Sequence, residues 1–268
     1  MTTITIDQTK CIGCGQCVND CFPKNLRLED GKAVVGGPCM ECGHCYAVCP
    51  TGAVQMEGYS TDAVIDCQGD YPVADGDALL NTIKMRRSIR QYKEQPVEND
   101  LLEKILEAGR FTPTGGNVQD VTYTVVQNDL DDVKKMFWDG FEPALDQMAQ
   151  QLGQDHRYVK ILRHLYQVHE ASPDNDGLFF NAPVLLIISG ASLLDVGLAA
   201  SRIELMAHAE GLGALFTGFV RAILASNAAL CDKLQLQPAQ IGVCMLMGYP
   251  AVTYQRTAPR KEAEVKWF

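Results

Sequence analysis

Long hydrophobic runs are missing from this 268-residue chain. The longest, residues 182–188, falls well short of the ~20 apolar residues that cross a bilayer as a helix. Basic charge is scarce too: 23 Lys and Arg stand against 33 Asp and Glu, a formal net charge of −10 that repels nucleic acid and anionic lipid. The opening MTTITIDQTK has no basic stretch followed by an apolar one, so no secretory signal is read there and a soluble, cytoplasmic protein is expected. A dinucleotide fingerprint is also absent, because Gly211-Leu-Gly213 lacks the third glycine and follows a helical pattern. The five histidines, His44, His156, His164, His169 and His208, form no ligand constellation and read as ordinary surface or interface residues.

What the chain does have is cysteine: eleven, eight of them before Pro50. A reducing compartment argues against structural disulfides and for metal ligands. The run Cys11-Ile-Gly-Cys-Gly-Gln-Cys-Val-Asn-Asp-Cys21 recurs 28 residues later as Cys39-Met-Glu-Cys-Gly-His-Cys-Tyr-Ala-Val-Cys49, with identical spacing. Short turns of this kind wrap three thiolates around one face of a cubane, while the fourth cysteine of each run serves the other cluster. The expected sets are therefore Cys11, Cys14, Cys17 and Cys49 for one [4Fe–4S] cluster, and Cys39, Cys42, Cys45 and Cys21 for a second. Paired four-thiolate zinc sites are the competing reading, but those combine two separated C-x-x-C knuckles. Gly13, Gly15 and Gly43 suit close approach of backbone to sulfide. The segment resembles a bacterial-type two-cluster ferredoxin domain over residues 1–58, with one departure: Phe22 separates Cys21 from Pro23, whereas Cys49 precedes Pro50 directly. Between the runs, residues 26–35 predict a β-hairpin turning at Asp30-Gly31, and residues 52–56 a further short strand.

Residues 59–80 read as a linker, with Asp62, Asp66, Asp70, Asp75 and Asp77 beside Gly69, Pro72 and Gly76. Cys67 lies there outside the four-thiol spacing and is assigned no cluster role. Beyond it the pattern mixes helices and strands. Helices are expected near residues 79–86, from Asp100 with Glu103 as a capping box, over residues 141–169 as a pair, and over residues 195–213 as one buried nearly all round. Strands are expected at Thr122-Tyr-Thr-Val-Val126, at Pro183-Val-Leu-Leu-Ile-Ile188 and at Ile241-Gly-Val-Cys-Met-Leu-Met247. Cys231 and Cys244 lie in apolar surroundings and read as buried and inert.

Lys84, Arg86, Arg87, Arg90 and Lys93 occur between residues 81 and 93 with no acid among them. Such a cluster either complements a helix C-terminus or, with the Ser88 hydroxyl, grips a phosphate. It opens an ordered set of stretches: Arg86-Arg-Ser-Ile-Arg90, Pro113-Thr-Gly-Gly-Asn-Val-Gln119, Glu210-Gly-Leu-Gly-Ala-Leu-Phe-Thr-Gly-Phe219, Gly248-Tyr-Pro250 and Pro259-Arg-Lys261. In this order and spacing they resemble the nitroreductase family of FMN enzymes, over residues 81–268.

The resemblance implies an α+β chain: a small ferredoxin-like two-cluster domain, then a nitroreductase-type α/β domain with a central, mainly antiparallel sheet flanked by helices. It places Arg86, Arg87 and Ser88 on the FMN phosphate and ribityl, and Arg90 near the pyrimidine edge. Pro113, Thr114, Gly115, Asn117 and Gln119 match the segment that reaches the flavin of the opposite subunit of a homodimer. Thr217 and Gly218 match the pair whose amides face N5 and O4, and Arg260 and Lys261 a late phosphate contact. No catalytic residue is assigned. Phe137, Trp138 and Phe141 fall where the family inserts a pocket lid, with packing between subunits as the alternative. The implied function is an iron–sulfur flavoprotein oxidoreductase passing electrons from two [4Fe–4S] clusters to FMN and on to a small organic acceptor such as a nitroaromatic, quinone or activated alkene. The external donor is a ferredoxin-like protein or NAD(P)H. An NAD(P)H-dependent flavin reductase using the clusters as a store, and a non-catalytic redox carrier or sensor, are the alternatives.

Overall fold

The computed structural model describes residues 4–67, 69, 71 and 73–268, so Asp70 and Pro72 of the expected linker lie outside the described residues. The chain divides into two compact units, Met1–Ala74 with Thr114–Gln119, and Asp75–Pro113 with Asp120–Phe268.

In the first unit, β1 (Ile4–Ile6), α1 (Gln16–Asp20), β2 (Leu26–Glu29), β3 (Lys32–Val35), α2 (His44–Val48) and β4 (Val54–Met56) follow in order. β2 and β3 form the expected hairpin, and β1 pairs antiparallel with β4. Asp30 and Gly31 both take left-handed backbone angles, φ 48° and 76°, as a two-residue hairpin turn matched to strand twist requires. The core is small: Ile4, Leu26, Ala33, Ala53 and Val54 pack with Cys11, Cys17 and Cys45. Ile6, Val18, Tyr46, Val48 and Met56 pack against it, half-buried.

The second unit is built on a four-stranded sheet in the order β5-β6-β8-β7, from β5 (Thr122–Val126), β6 (Val184–Ser189), β7 (Gly213–Phe216) and β8 (Ile241–Gly248). All three pairings are antiparallel, as the resemblance implied. The helices are α3 (Gly76–Met85), α4 (Asn99–Arg110), α5 (Leu130–Asp139), α6 (Phe141–Leu152), α7 (Arg157–Ala171), α8 (Leu193–Ala209), α9 (Gly218–Ser226) and α10 (Ala228–Lys233). β6 reads as an unbroken apolar run because both of its faces are covered. Leu185 and Ile187 join the core around Phe137, Phe141 and Phe179, while Val184, Leu186 and Ile188 pack with Val196, Ala200 and Ile203 of α8. Each such side chain contributes about 1.5–3 kcal/mol by leaving water.

Three expectations change. The capping box at Asp100 and Glu103 does not form: α4 starts one residue earlier, and Glu98 at its N-cap makes no cap bond because its carboxylate accepts from Tyr249 Oη at 2.6 Å. α8 is not buried all round within one chain, since Leu193, Leu194 and Leu198 are exposed while Val196, Ala199, Ala200 and Ile203 face the sheet. Phe137 and Phe141 are fully buried inside the second unit, and Trp138 stacks on His169 at 3.9 Å. The aromatic group is core packing within the chain rather than a lid, because α5, α6 and α7 enclose it.

Candidate functional site

Each of the two cysteine sets lines a hollow of its own. Cys11, Cys14, Cys17 and Cys49 line one hollow of about 330 Å³, counted to its open mouth, together with Gly13, Gly15 and Ala33. Cys21, Cys39, Cys42 and Cys45 line a second of about 310 Å³ with Met40, Gly43 and His44. The fourth cysteine of each run thus stands with the other run. Among the described residues no three His, Cys, Asp or Glu side chains converge as they would around a single ion. Four thiols lining a hollow suit a multi-atom cluster.

Backbone amides already point at four of these sulfurs: Ala33 N–H at Cys11 (3.4 Å), Asn25 N–H at Cys21 (3.2 Å), Glu41 N–H at Cys39 (3.2 Å) and Ala53 N–H at Cys49 (3.3 Å). Burial pushes the Cys45 thiol up to about 11 and raises Cys17 as well. For Cys49 burial also works upward, but bonds from the Thr51, Ala53 and Val54 amides and the Thr51 hydroxyl outweigh it and lower the net value. A cation-rich cluster would deprotonate all of them.

The glycines answer to backbone geometry more than to sulfide approach. Gly15 and Gly43 are left-handed N-caps of α1 and α2. Gly13 has φ 70°, and a Cβ there would lie 2.0 Å from the Gly31 carbonyl oxygen. The equivalent of Gly13 in the second run is Glu41, also left-handed at φ 57°. A non-glycine residue in that region costs about 1–2 kcal/mol. Thr114–Gln119 belongs to the same unit, and there the Asn117 side-chain amide donates to Met40 O (3.1 Å) and Glu41 O (3.0 Å). Tyr59 Oη donates to Glu41 Oε2 (3.1 Å), and Gln119 Nε2 donates to Tyr59 Oη (3.3 Å).

In the second unit, three of the distant stretches meet along one edge of the sheet. Ser88 bridges Ala214 of β7 in parallel, with Ile89 N–H donating to Ala214 O (3.1 Å). Tyr92 bridges Pro250, and Lys93 N–H donates to Tyr249 O. β7 then leads directly into Thr217-Gly218 at the start of α9. Arg86, Arg87 and Ser88 are half-buried there, whereas Arg90 is exposed. Arg87 lies over the Tyr254 ring, 5.2 Å from its centroid. Arg86 Nη1 donates to Glu204 Oε1 of α8 at 2.6 Å. Burial raises the Glu204 carboxyl despite that cation, and lowers the neighbouring His208 with help from it.

The amide of Thr217 is committed to Cys244 O (2.9 Å), and its hydroxyl accepts from Val220 N–H. Gly218, with nothing within 4 Å of where a Cβ would stand, is the open member of that pair. Pro113, Gly115, Gln119, Arg260 and Lys261 are exposed, and Thr114 is half-buried. Cys244 is buried, its thiol pushed up to about 12, as its apolar setting implied. Sequence reasoning missed Glu204 as the partner of Arg86, since no local pattern links two residues 118 positions apart. Guanidinium forks, a serine hydroxyl and a helix N-terminus along one edge form a donor set that fits a phosphorylated flavin.

Residues 83–249 match the Nitroreductase family, and residues 3–50 match a 4Fe-4S dicluster domain. An uncharacterised ferredoxin of Methanocaldococcus jannaschii is 47% identical over 58 residues, which are 20% of this chain and 94% of that protein. An NADPH-dependent oxidoreductase of Staphylococcus aureus is 25% identical over 162 residues, 58% of this chain and only 59% of that protein's length. The crystal structure of a nitroreductase with bound FMN from Bacteroides fragilis superposes with a TM-score of 0.54 at 20% identity, covering 70% of this chain and 98% of that one, which shows a shared fold.

Proposed function

The chain belongs to the nitroreductase family, preceded by a 4Fe-4S dicluster domain, and from that premise we propose an iron–sulfur flavoprotein oxidoreductase that feeds electrons from two clusters through FMN to a small organic acceptor. The observation that carries the proposal is the pair of four-cysteine hollows in the same chain as the nitroreductase domain. When bound, the clusters exchange single electrons and the flavin exchanges one or two. Covalent fusion keeps the two modules at high effective concentration.

The chain's own residues have distinct parts in this reading. Cys11, Cys14, Cys17 and Cys49 hold one cluster, and Cys21, Cys39, Cys42 and Cys45 the other. Arg86, with donors beyond the one on Glu204, joins Arg87 and Ser88 on the FMN phosphate, and Arg90 stabilises negative charge at the pyrimidine edge. Gly218 offers its amide to the ring. Thr114 and Gly115 reach the partner's flavin in a homodimer, and Arg260 and Lys261 add a late phosphate contact. The exposed apolar side chains Leu194 and Leu198 on α8, and Leu79, Leu80 and Ile83 on α3, support a second subunit that covers them. No described helix is long and apolar enough to cross a membrane.

Anaerobically purified protein should contain about eight iron and eight acid-labile sulfide per chain, with one noncovalent FMN. Stoichiometric zinc would defeat the cluster reading. Arg86→Ala should weaken FMN binding about 30- to 150-fold by titration, the loss of a charge-assisted phosphate contact. Unchanged FMN affinity would return Arg86 to a purely structural partner of Glu204. Stopped-flow mixing with reduced ferredoxin and, separately, NADPH identifies the donor: flavin bleaching by NADPH as fast as by ferredoxin would favour the flavin-reductase alternative.

A further inference from the structure

The two cysteine runs share one spacing, yet the same position between their first two thiols is glycine in one run and glutamate in the other. Gly13 and Glu41 both adopt left-handed angles, φ 70° and 57°. The angle turns the chain from Glu41 towards Cys42, within the same turn in which the Glu41 amide donates to Cys39 Sγ at 3.2 Å. Glycine adopts it freely, whereas glutamate does so against steric resistance. The second turn therefore needs outside support. That support is visible in Asn117, whose side-chain amide donates to the carbonyls of Met40 and Glu41 at 3.1 and 3.0 Å although it lies 77 and 76 residues further along the chain. Asn117 is itself left-handed at φ 58°, next to Gly116 at φ 61°, so its loop is shaped to present the amide. Gln119 and Tyr59 extend the same contact to the Glu41 carboxylate.

We infer that Asn117 is a positioning residue for the cluster assigned to Cys39, Cys42, Cys45 and Cys21, holding residues 39–42 in the conformation that directs the Glu41 amide at the Cys39 sulfur. The inference rests on the cluster assignment above. Hydrogen bonds to ligating sulfur help set the reduction potential of an iron–sulfur cluster, and a loosened ligand turn lets iron escape. Asn117 thus acts on one cluster and leaves the other, whose turn is held by the β2–β3 hairpin, untouched.

The test uses the full-length holoprotein and two readouts: iron release to a chelator, and a redox titration followed by electron paramagnetic resonance. In Asn117→Ala, half of the iron should leave about tenfold faster, the effect of losing two side-chain hydrogen bonds, while the other half leaves at the wild-type rate. One of the two midpoint potentials should shift and the other stay. Adding Glu41→Gly to Asn117→Ala should restore slow release, since glycine needs no support at that angle. Asn117→Asp, which sets a carboxylate against the two carbonyls, gives the same readout if the alanine variant is poorly soluble. Wild-type release rates in both variants, equal acceleration of all the iron, or no rescue by glycine would each overturn the inference. Wild-type protein lacking two distinguishable clusters would instead overturn the assignment beneath it.

Discussion

The first cysteine run and the second differ in what holds them, although their ligand spacing is identical. Gly13 packs against the Gly31 carbonyl, 18 residues away in the adjoining hairpin. Its counterpart Glu41 is held by Tyr59, also 18 residues away, and by Asn117 beyond it. A duplicated motif has thus kept its cysteine spacing while the residues around it differ. The first site is completed by its immediate neighbours, and the second draws on a segment from the later part of the sequence. Ligand spacing reports what is bound; the residues between ligands report how the binding is supported.

The largest way to break the comparison is to remove the crossing ligands. Cys21→Ala should lose the cluster of Cys39, Cys42 and Cys45, and Cys49→Ala that of Cys11, Cys14 and Cys17, each leaving about half the iron in elemental analysis. Loss of the cluster nearest in sequence would reverse the assignment of the fourth ligands. A smaller effect is expected from Gly13→Ala, where both the left-handed angle and the contact with Gly31 O resist a methyl group. It should destabilise the first site by about 2–4 kcal/mol, seen as a lower bleaching temperature for one cluster only; a loss below 1 kcal/mol would mean that the hairpin yields. Smallest is Tyr59→Phe, which removes two exposed hydrogen bonds, the one to Glu41 and the one accepted from Gln119, and should cost about 0.5–1 kcal/mol at the second site. A larger loss there would move the main support from Asn117 to Tyr59.

The thiol sets were legible before any coordinates because cluster chemistry fixes spacing tightly over a few residues. Strands β5, β6 and β8 were legible because β-branched and apolar runs have few other uses. The edge at β7 was readable only as an ordered set of stretches, since Ser88 meets Ala214 and Tyr92 meets Pro250 through bridges that no local pattern encodes. The bonds of Glu204 to Arg86 and of Asn117 to Met40 and Glu41 were out of reach for the same reason, each joining residues at least 76 positions apart, although Asn117 itself was read as part of the flavin segment. The exposed face of α8 was not resolved by the sequence because apolar periodicity records an apolar face without recording what, if anything, covers it.

The ion pair between Arg86 and Glu204 bears on the order of assembly. Its side chains are only 23% and 9% exposed, so a lone guanidinium there would be costly to enclose. With its charge already matched by Glu204 inside the same chain, Arg86 is not left as an unbalanced enclosed cation before a cofactor arrives. Folding of the second unit around Arg86 is therefore not contingent on flavin, and flavin loading is expected to follow as a separable event.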